Sequence, residues 1–327
     1  MRSNLSIEDI AVAFPRVVVV GGAGFIGSHI VDSLLKQGCI VRSIDDFSSG
    51  KAANLDVARS YGDQFDDTRF DITNTNENLE ELLVGFDLIL NQAASKMNVC
   101  LRDPQRDLLV NAGGILNLLT AAKKAGCKRF VHASTGSVYG RAHLFPTDEL
   151  HPLNPVSYYG VSKLAGEKYV RMFHEQGKFE TSILRYFHVY GPRQESNDLG
   201  GVVAIFIRNI LNSEPIRIFG DGKQVRSFTY VSDLVEINKK ISLQANSGGL
   251  AYNCASGIQV SIKELAIEIA QRMGVPNHPI IYEAERPGDI WKFQVSNKML
   301  ADLGVNWNVD FGDGLQKTID YFVGIAN

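Results

Sequence analysis

The sequence has no apolar run near the roughly 18 residues that a membrane-spanning helix needs. It also lacks an excess of charge of either sign, its net charge being −3. A membrane segment is therefore not expected, and nothing electrostatic argues for nucleic acid or an anionic membrane surface as a partner. Cysteine is scarce: Cys39, Cys100, Cys127 and Cys254 are scattered without a C-x-x-C pair. That is the pattern of free buried thiols in a reducing cytoplasm, not of a disulfide frame or a zinc site. No His, Asp, Glu and Cys residues are clustered at a spacing suited to any metal. Internal repeats and low-complexity segments are missing as well. Met1–Pro15 holds one early basic residue, Arg2, and a short apolar patch at Ile10–Phe14, so neither a secretory signal nor a transit peptide is expected. What remains is a chain of 327 residues, 45% apolar and 21% charged, the mix of a globular protein with a sizeable core in one large domain or two unequal ones.

From Arg16 onward, short β-branched runs alternate with longer helical patterns. Arg16–Val20 is a continuous apolar run, as a strand buried on both faces should be. Phe25–Gln37 has apolar residues at helical spacing and stops at Gly38, a natural C-cap. Cys39–Ile44, Asp87–Asn91, Phe130–Ala133 and Ser182–Phe187 read as further strands, and Leu108–Ala125 as one long helix. This alternation predicts βαβ units and an α/β fold with a doubly wound parallel sheet covered on both sides. Past about Arg193, glycine-rich and polar segments separate shorter elements. Residues 1–192, with 1–15 as an N-terminal extension, are therefore expected to form the sheet domain. Residues 193–327 are expected to form mainly a smaller lobe facing the sheet's C-terminal edge, with crossovers of the chain allowed.

The motifs give this frame its chemistry. Gly21-Gly22-Ala23-Gly24-Phe25-Ile26-Gly27 follows the first strand and opens the first helix. Glycines there permit a tight turn, close approach of the backbone to a pyrophosphate, and close packing of helix on strand. The phosphates then meet the free N–H groups and positive end of that helix. Asp45 lies 18 residues beyond Gly27, at the end of the next strand. A carboxylate there accepts from the ribose hydroxyls and repels a 2′-phosphate, and Asp46 adds to the repulsion, so NAD is favoured over NADP. Asp71-Ile72 follows another short strand and suits either an adenine edge or a plain turn. Downstream, Tyr159 and Lys163 stand four apart on one helical face. A tyrosine with a pKa near ~10 is a poor base at neutral pH. An ammonium nearby, with a positive nicotinamide ring, would favour the phenolate. Ser134 or Thr135, at a strand end, would hydrogen-bond the hydroxyl that Tyr159 deprotonates.

With these residues in view, the sequence resembles the extended short-chain dehydrogenase/reductase family, in particular its NAD-dependent nucleotide-sugar epimerases and dehydratases, and among them the UDP-hexose 4-epimerases. The matching segments are GGAGFIGSHI (21–30), IDDFSSG (44–50), STGSVYG (134–140), YYGVSKLAGEKY (158–169), LRYFHVYGPR (184–193), FGDGKQVRSFTYVSDL (219–234) and RPGD (286–289), within a likeness running from Arg16 to about Phe322. The resemblance implies a Rossmann-type NAD-binding domain and a substrate-binding lobe. Its phosphate loop falls on Gly21, Gly24, Phe25, Ile26 and Gly27, its ribose acid on Asp45 beside Asp46, and its adenine-side pair on Asp71 and Ile72. Ala93, Lys96 and Asn111 match further cofactor contacts, and Phe187 a residue beside the nicotinamide. Thr135 takes the catalytic hydroxyl position, Tyr159 the base and Lys163 its partner. Arg226 and Arg286 match two arginines that grip a nucleotide-sugar diphosphate. Two positions depart from the family pattern: His188 stands where Asn is usual after R-Y-F, and Asn91 where His is usual before x-A-A.

The resemblance also bears on the reaction. Dehydratases of the family carry acidic residues directly after the catalytic Thr, and the decarboxylases tend to carry a glutamate there. Here Gly136 and Ser137 follow Thr135, and neither can do acid–base work at carbon. The expected reaction is 4-epimerisation of a UDP-glucose/UDP-galactose type of substrate, with Phe293 bordering the sugar's C2 substituent. A dehydratase or an epimerase acting at another carbon is the alternative, and a non-catalytic NAD-binding scaffold a remote one. Leu108–Ala125 and Ser157–Gln176 resemble helices that pair across a two-fold in the family, which implies a homodimer.

Overall fold

The protein is described from a computed structural model covering residues 10–75, 78–177, 179–197, 200–285 and 294–326. Seven strands form the central sheet: β1 Arg16–Val20, β2 Ile40–Asp45, β3 Phe65–Arg69, β4 Leu88–Asn91, β5 Arg129–Thr135, β6 Glu180–Tyr186 and β7 Ala251–Cys254. Their order is β7-β6-β5-β4-β1-β2-β3. β1 runs parallel to both β2 and β4, β2 to β3, and β4 to β5. Helix α1, Phe25–Lys36, connects β1 to β2. The chain reverses its direction of travel across the sheet between β1 and β4, and a crevice opens beyond the strand ends at such a point. Val17–Val20 is buried throughout, as expected of a central parallel strand covered on both faces. One side of the sheet packs Val18, Val20, Ile89 and Phe130 against Ile115, Leu118 and Leu119 of helix α2, Ile115–Lys124. This is the Rossmann-type α/β fold.

Two features differ from the sequence reading. The long helix expected over 108–125 is three pieces: Pro104–Leu108, a wider π-helical turn at Leu109–Gly114, and α2. Asp103 caps the first piece by accepting from Arg106 N–H, with Pro104 at its start. A Cβ on Gly114 would stand 2.8 Å from Ile72 Cδ1, so close approach fixes glycine there. The second feature is β7, which the sequence pattern does not announce. It follows the turn-forming Ser247–Gly249 and joins the sheet beside β6, where Ile183 N–H donates to Leu250 C=O.

The chain divides into two compact units. The first comprises 1–140, 153–185 and 235–252; the second comprises 141–152, 186–234 and 253–327. Relative to a single boundary at 192, Arg141–Pro152 and residues 186–192 pass to the second unit, and Val235–Tyr252 to the first. Among its described residues the second unit carries three two-stranded ladders. Its aromatic residues Tyr190, Phe228, Tyr230 and Phe311 pack at centroid spacings of 5.4–6.0 Å. Ser261 and Glu264 form a reciprocal capping box on its helix Ile262–Arg272. All four cysteines are free and buried. No described helix is long and apolar enough to cross a membrane.

Candidate active site

The glycine loop joins β1 to α1. Gly21 adopts φ +77°, and a Cβ there would lie 2.7 Å from the Ala93 nitrogen at the end of β4. A Cβ on Gly27 would fall onto the Gly21 carbonyl oxygen. Both positions therefore demand glycine. The N-cap of α1 is Gly24, with no side-chain cap, and the first helical bond runs from Ser28 N–H to Gly24 C=O. The N–H groups of Phe25, Ile26 and Gly27 are left without intrahelical partners, at the positive end of the helix. This is an anion cradle at the crevice, and it fits a dinucleotide pyrophosphate.

Asp45 ends β2 next to that cradle and is buried. Its Oδ2 accepts from Ala23 N–H at 2.9 Å and its Oδ1 from Phe47 N–H at 2.8 Å. Burial pushes its pKa up, while these backbone bonds oppose the shift. Each oxygen keeps a lone pair for a ribose hydroxyl. Asp46 and Asp71 lie beside it, and one guanidinium ties them together. Arg106 Nη2 is 3.1 Å from Asp46 Oδ2 and 2.9 Å from Asp71 Oδ2, while Nη1 donates to Thr73 Oγ1 at 3.0 Å. Burial raises the Asp71 pKa, but the Thr73 bonds and Arg106 outweigh it and the net shift is downward. Sequence reasoning missed Arg106, because it lies 60 residues from Asp46 and no motif spacing links them. Ile72 is buried next to Asp71.

Ala93 and Lys96 lie on the segment after β4. Asn111 is fully buried, and its Oδ1 accepts from Ser95 N–H at 2.9 Å. Its Nδ2 donates to Asp107 Oδ1 at 2.9 Å. The Asn111 amide is thus engaged within the protein, where it shapes the 93–96 segment. Asn91, one of the two departures from the family pattern, brings its Nδ2 to 3.0 Å from His132 Nδ1 in the interior.

The strand end of β5 presents Ser134 and Thr135 to helix α3, Tyr158–Glu175, which is capped by Ser157 accepting from Gly160 N–H at 3.1 Å. The two hydroxyls part ways. Ser134 Oγ donates to buried Glu167 Oε1 at 2.6 Å. Thr135 caps the turn Gly136–Tyr139 and hydrogen-bonds the Tyr159 hydroxyl. Lys163, one turn beyond Tyr159, is almost completely buried, and its Nζ donates to Ala133 C=O at 2.6 Å. Burial pushes its pKa down to about 8, against the opposing charges of Glu167 and Asp107. The Tyr159 pKa stands at about 12: burial raises it, the Thr135 bond lowers it, and Asp107 and Cys100 raise it further. In the protein alone, desolvation of the phenolate outweighs every favourable contact.

Phe187, His188 and Arg226 belong to the second unit. Phe187 is buried. His188 has φ +32°, and its ring meets Phe228 edge to face at 6.0 Å. Burial, with the nearby Arg226 charge, pushes its pKa down to about 3, so it is neutral at ordinary pH. Arg226 sits on the strand Val225–Ser227, is mostly buried, and donates through Nη1 to Val225 C=O at 3.1 Å. Arg286 and Phe293 lie outside the described residues.

The model of the NAD dependent epimerase/dehydratase family matches residues 17–255. A UDP-glucose 4-epimerase of Mycolicibacterium smegmatis is 37% identical over 94% of this chain and 98% of its own. Among solved structures, the UDP-glucose 4-epimerase of Thermus thermophilus in complex with NAD superposes with a TM-score of 0.86 at 33% identity, covering 94% of this chain and 99% of that one. A UDP-N-acetylglucosamine 4-epimerase of Methanobrevibacter ruminantium gives 0.88 at 32% identity, covering 95% and 99%. The likeness extends to a UDP-glucuronic acid decarboxylase of Arabidopsis thaliana at 32% and a dTDP-glucose 4,6-dehydratase of Streptomyces venezuelae at 28%. By the family model spanning residues 17–255 and by relatives 32–37% identical over nearly the whole chain, the chain belongs to the NAD dependent epimerase/dehydratase family and is an enzyme that uses NAD as its cofactor.

Proposed function

We propose that the enzyme interconverts the C4 epimers of a nucleotide hexose of the UDP-glucose/UDP-galactose type. The observation that carries this reading is the Thr135–Tyr159–Lys163 cluster, followed directly by Gly136 and Ser137. A hydroxyl-directed acid–base group is present, and no carboxylate follows Thr135 to work at carbon, as water elimination would need.

NAD, when bound, supplies a hydride acceptor for C4 and a cationic ring whose charge favours the Tyr159 phenolate. The residues of the chain do the rest. Thr135 holds the C4 hydroxyl, and Tyr159 Oη takes its proton as C4 becomes a ketone. Lys163, fixed on Ala133 C=O, keeps a positive charge behind the site. Arg226 is the described residue suited to the substrate diphosphate, a role in which Arg286 would join it; His188 lies beside Arg226 as a neutral polar group. Held by its diphosphate, the keto sugar turns over. Tyr159 then returns the proton to the C4 oxygen of the turned sugar; the exchange of hydride at C4 is the chemistry that NAD would supply when bound.

The partner we propose is a second copy of the chain. Leu101, Leu108, Leu109 and Leu116 stay exposed, as do Tyr158, Val161 and Met172 on α3. We place the enzyme in the cytoplasm, where its four free thiols remain reduced.

The test is incubation with UDP-glucose, UDP-galactose and their N-acetyl forms in D2O, read by proton NMR. Conversion to the C4 epimer with no deuterium on the ring is expected, and a preference for the non-acetylated sugars would support the placement of Phe293. Deuterium at C5 or C6, or an accumulating 4-keto product, would establish a dehydratase instead.

A further inference from the structure

Arg106 carries an inference beyond that reading, although it rests on the adenosine of NAD lying between Asp45 and Asp71. Its backbone is pinned at the start of a helix by the Asp103 cap, at 2.9 Å. Its guanidinium is held by Asp46 and Asp71, which lie just past the C-terminal ends of β2 and β3, and by Thr73. An ordinary surface ion pair uses one carboxylate and contributes little. Here three groups from two separate strand ends converge on one side chain that is 32% exposed.

The chemistry of the guanidinium gives the arrangement its meaning. Its N–H groups lie in the plane of the group, so the bonds to Asp46, Asp71 and Thr73 fix that plane and leave both faces without hydrogen-bonding groups. A planar cation with a free face stacks on an aromatic ring, and a purine is such a ring. The same bonds offset the repulsion between Asp46 and Asp71, two carboxylates that would otherwise crowd a neutral base.

We propose that Arg106 is a cofactor-affinity residue that closes the adenosine end of the NAD site, holding Asp46 and Asp71 in place and offering its face to the adenine. An ammonium can keep the charge but has no plane, so lysine is not an equivalent there.

The experiment is calorimetric titration of ADP-ribose, which has the adenosine and diphosphate without the nicotinamide, into enzyme stripped of NAD. R106A is expected to weaken binding about tenfold, the scale of a stacked base, and R106K to recover less than half of that loss. Binding of R106A within twofold of the unsubstituted enzyme, or full recovery by R106K, would overturn the proposal. D45A serves as the control on the reading beneath it. If D45A loses ADP-ribose and R106A does not, the adenosine is placed correctly and Arg106 has no part in holding it. If both bind normally, the adenosine lies elsewhere and the proposal goes with it. Thermal melting of each variant separates lost binding from lost folding.

Discussion

Replacing Glu167 by Gln tests the buried polar network beneath α3. Glu167 and Arg185 are both fully buried and paired twice: Nε to Oε1 at 2.9 Å and Nη2 to Oε2 at 2.7 Å. Ser134 adds a third donor at 2.6 Å, and Arg185 Nη1 donates to Tyr139 Oη at 2.7 Å with its guanidinium carbon 4.8 Å from that ring's centre. The network ties β5, α3 and β6 to the turn that follows Thr135. A glutamine would keep one acceptor but turn an amide NH2 toward an arginine donor, leaving a buried guanidinium without its counter-charge. Removing one member of a buried pair costs about 3–5 kcal/mol, whereas replacing both by apolar groups of like volume is near neutral. Urea unfolding should therefore show E167Q losing about 3–5 kcal/mol and E167L/R185M regaining most of it. A loss below about 1 kcal/mol in E167Q would refute the reasoning, because the pair would then behave like a solvated one. A double variant as unstable as E167Q would show that packing, not charge, holds the site.

Lys163 offers a pH-dependent counterpart. Its pKa falls from 10.5 to about 8 on folding, so the unfolded chain binds more protons between those values and stability rises with pH across that window. Below about pH 8 the buried ammonium costs about 3 kcal/mol, at about 1.4 kcal/mol per pKa unit. Lys163→Met should be inactive yet more stable than the parent at pH 7, with the gap roughly halved at about pH 9.5; an equal gap at both pH values in urea titrations would contradict the assignment. The exposed apolar residues of α3 and of the 101–116 segment predict a dimer, so sedimentation equilibrium should give twice 36.0 kDa, and Leu109→Glu should return the monomer mass. A monomeric parent protein would remove the second copy from the proposal.

Much of this protein is written in short-range patterns. The Val17–Val20 run, the glycine loop and Asp45 fix a strand, a turn, a helix start and a buried acid at the next strand's end within one short stretch of chain. Their geometry depends on local backbone freedom and on burial of both strand faces, so periodicity alone places them nearly to the residue. Tyr159 and Lys163 share a face for the same reason, through the roughly 3.6-residue repeat of an α-helix. The tertiary structure decided what local periodicity cannot carry. The place of β7 beside β6 depends on which edge of the sheet is left open, and the break at Leu109–Gly114 on how closely Gly114 meets Ile72. Only the packing of β5 against α3 sends Ser134 to Glu167 and Thr135 to Tyr159; residue chemistry alone left the two hydroxyls open, and the family resemblance assigned the catalytic position to Thr135. Arg106 meets Asp46 and Asp71 because β2 and β3 end side by side. The raised pKa of Tyr159 in the protein without cofactor likewise comes from packing, because burial is its largest cause and burial is a property of no single segment of the chain.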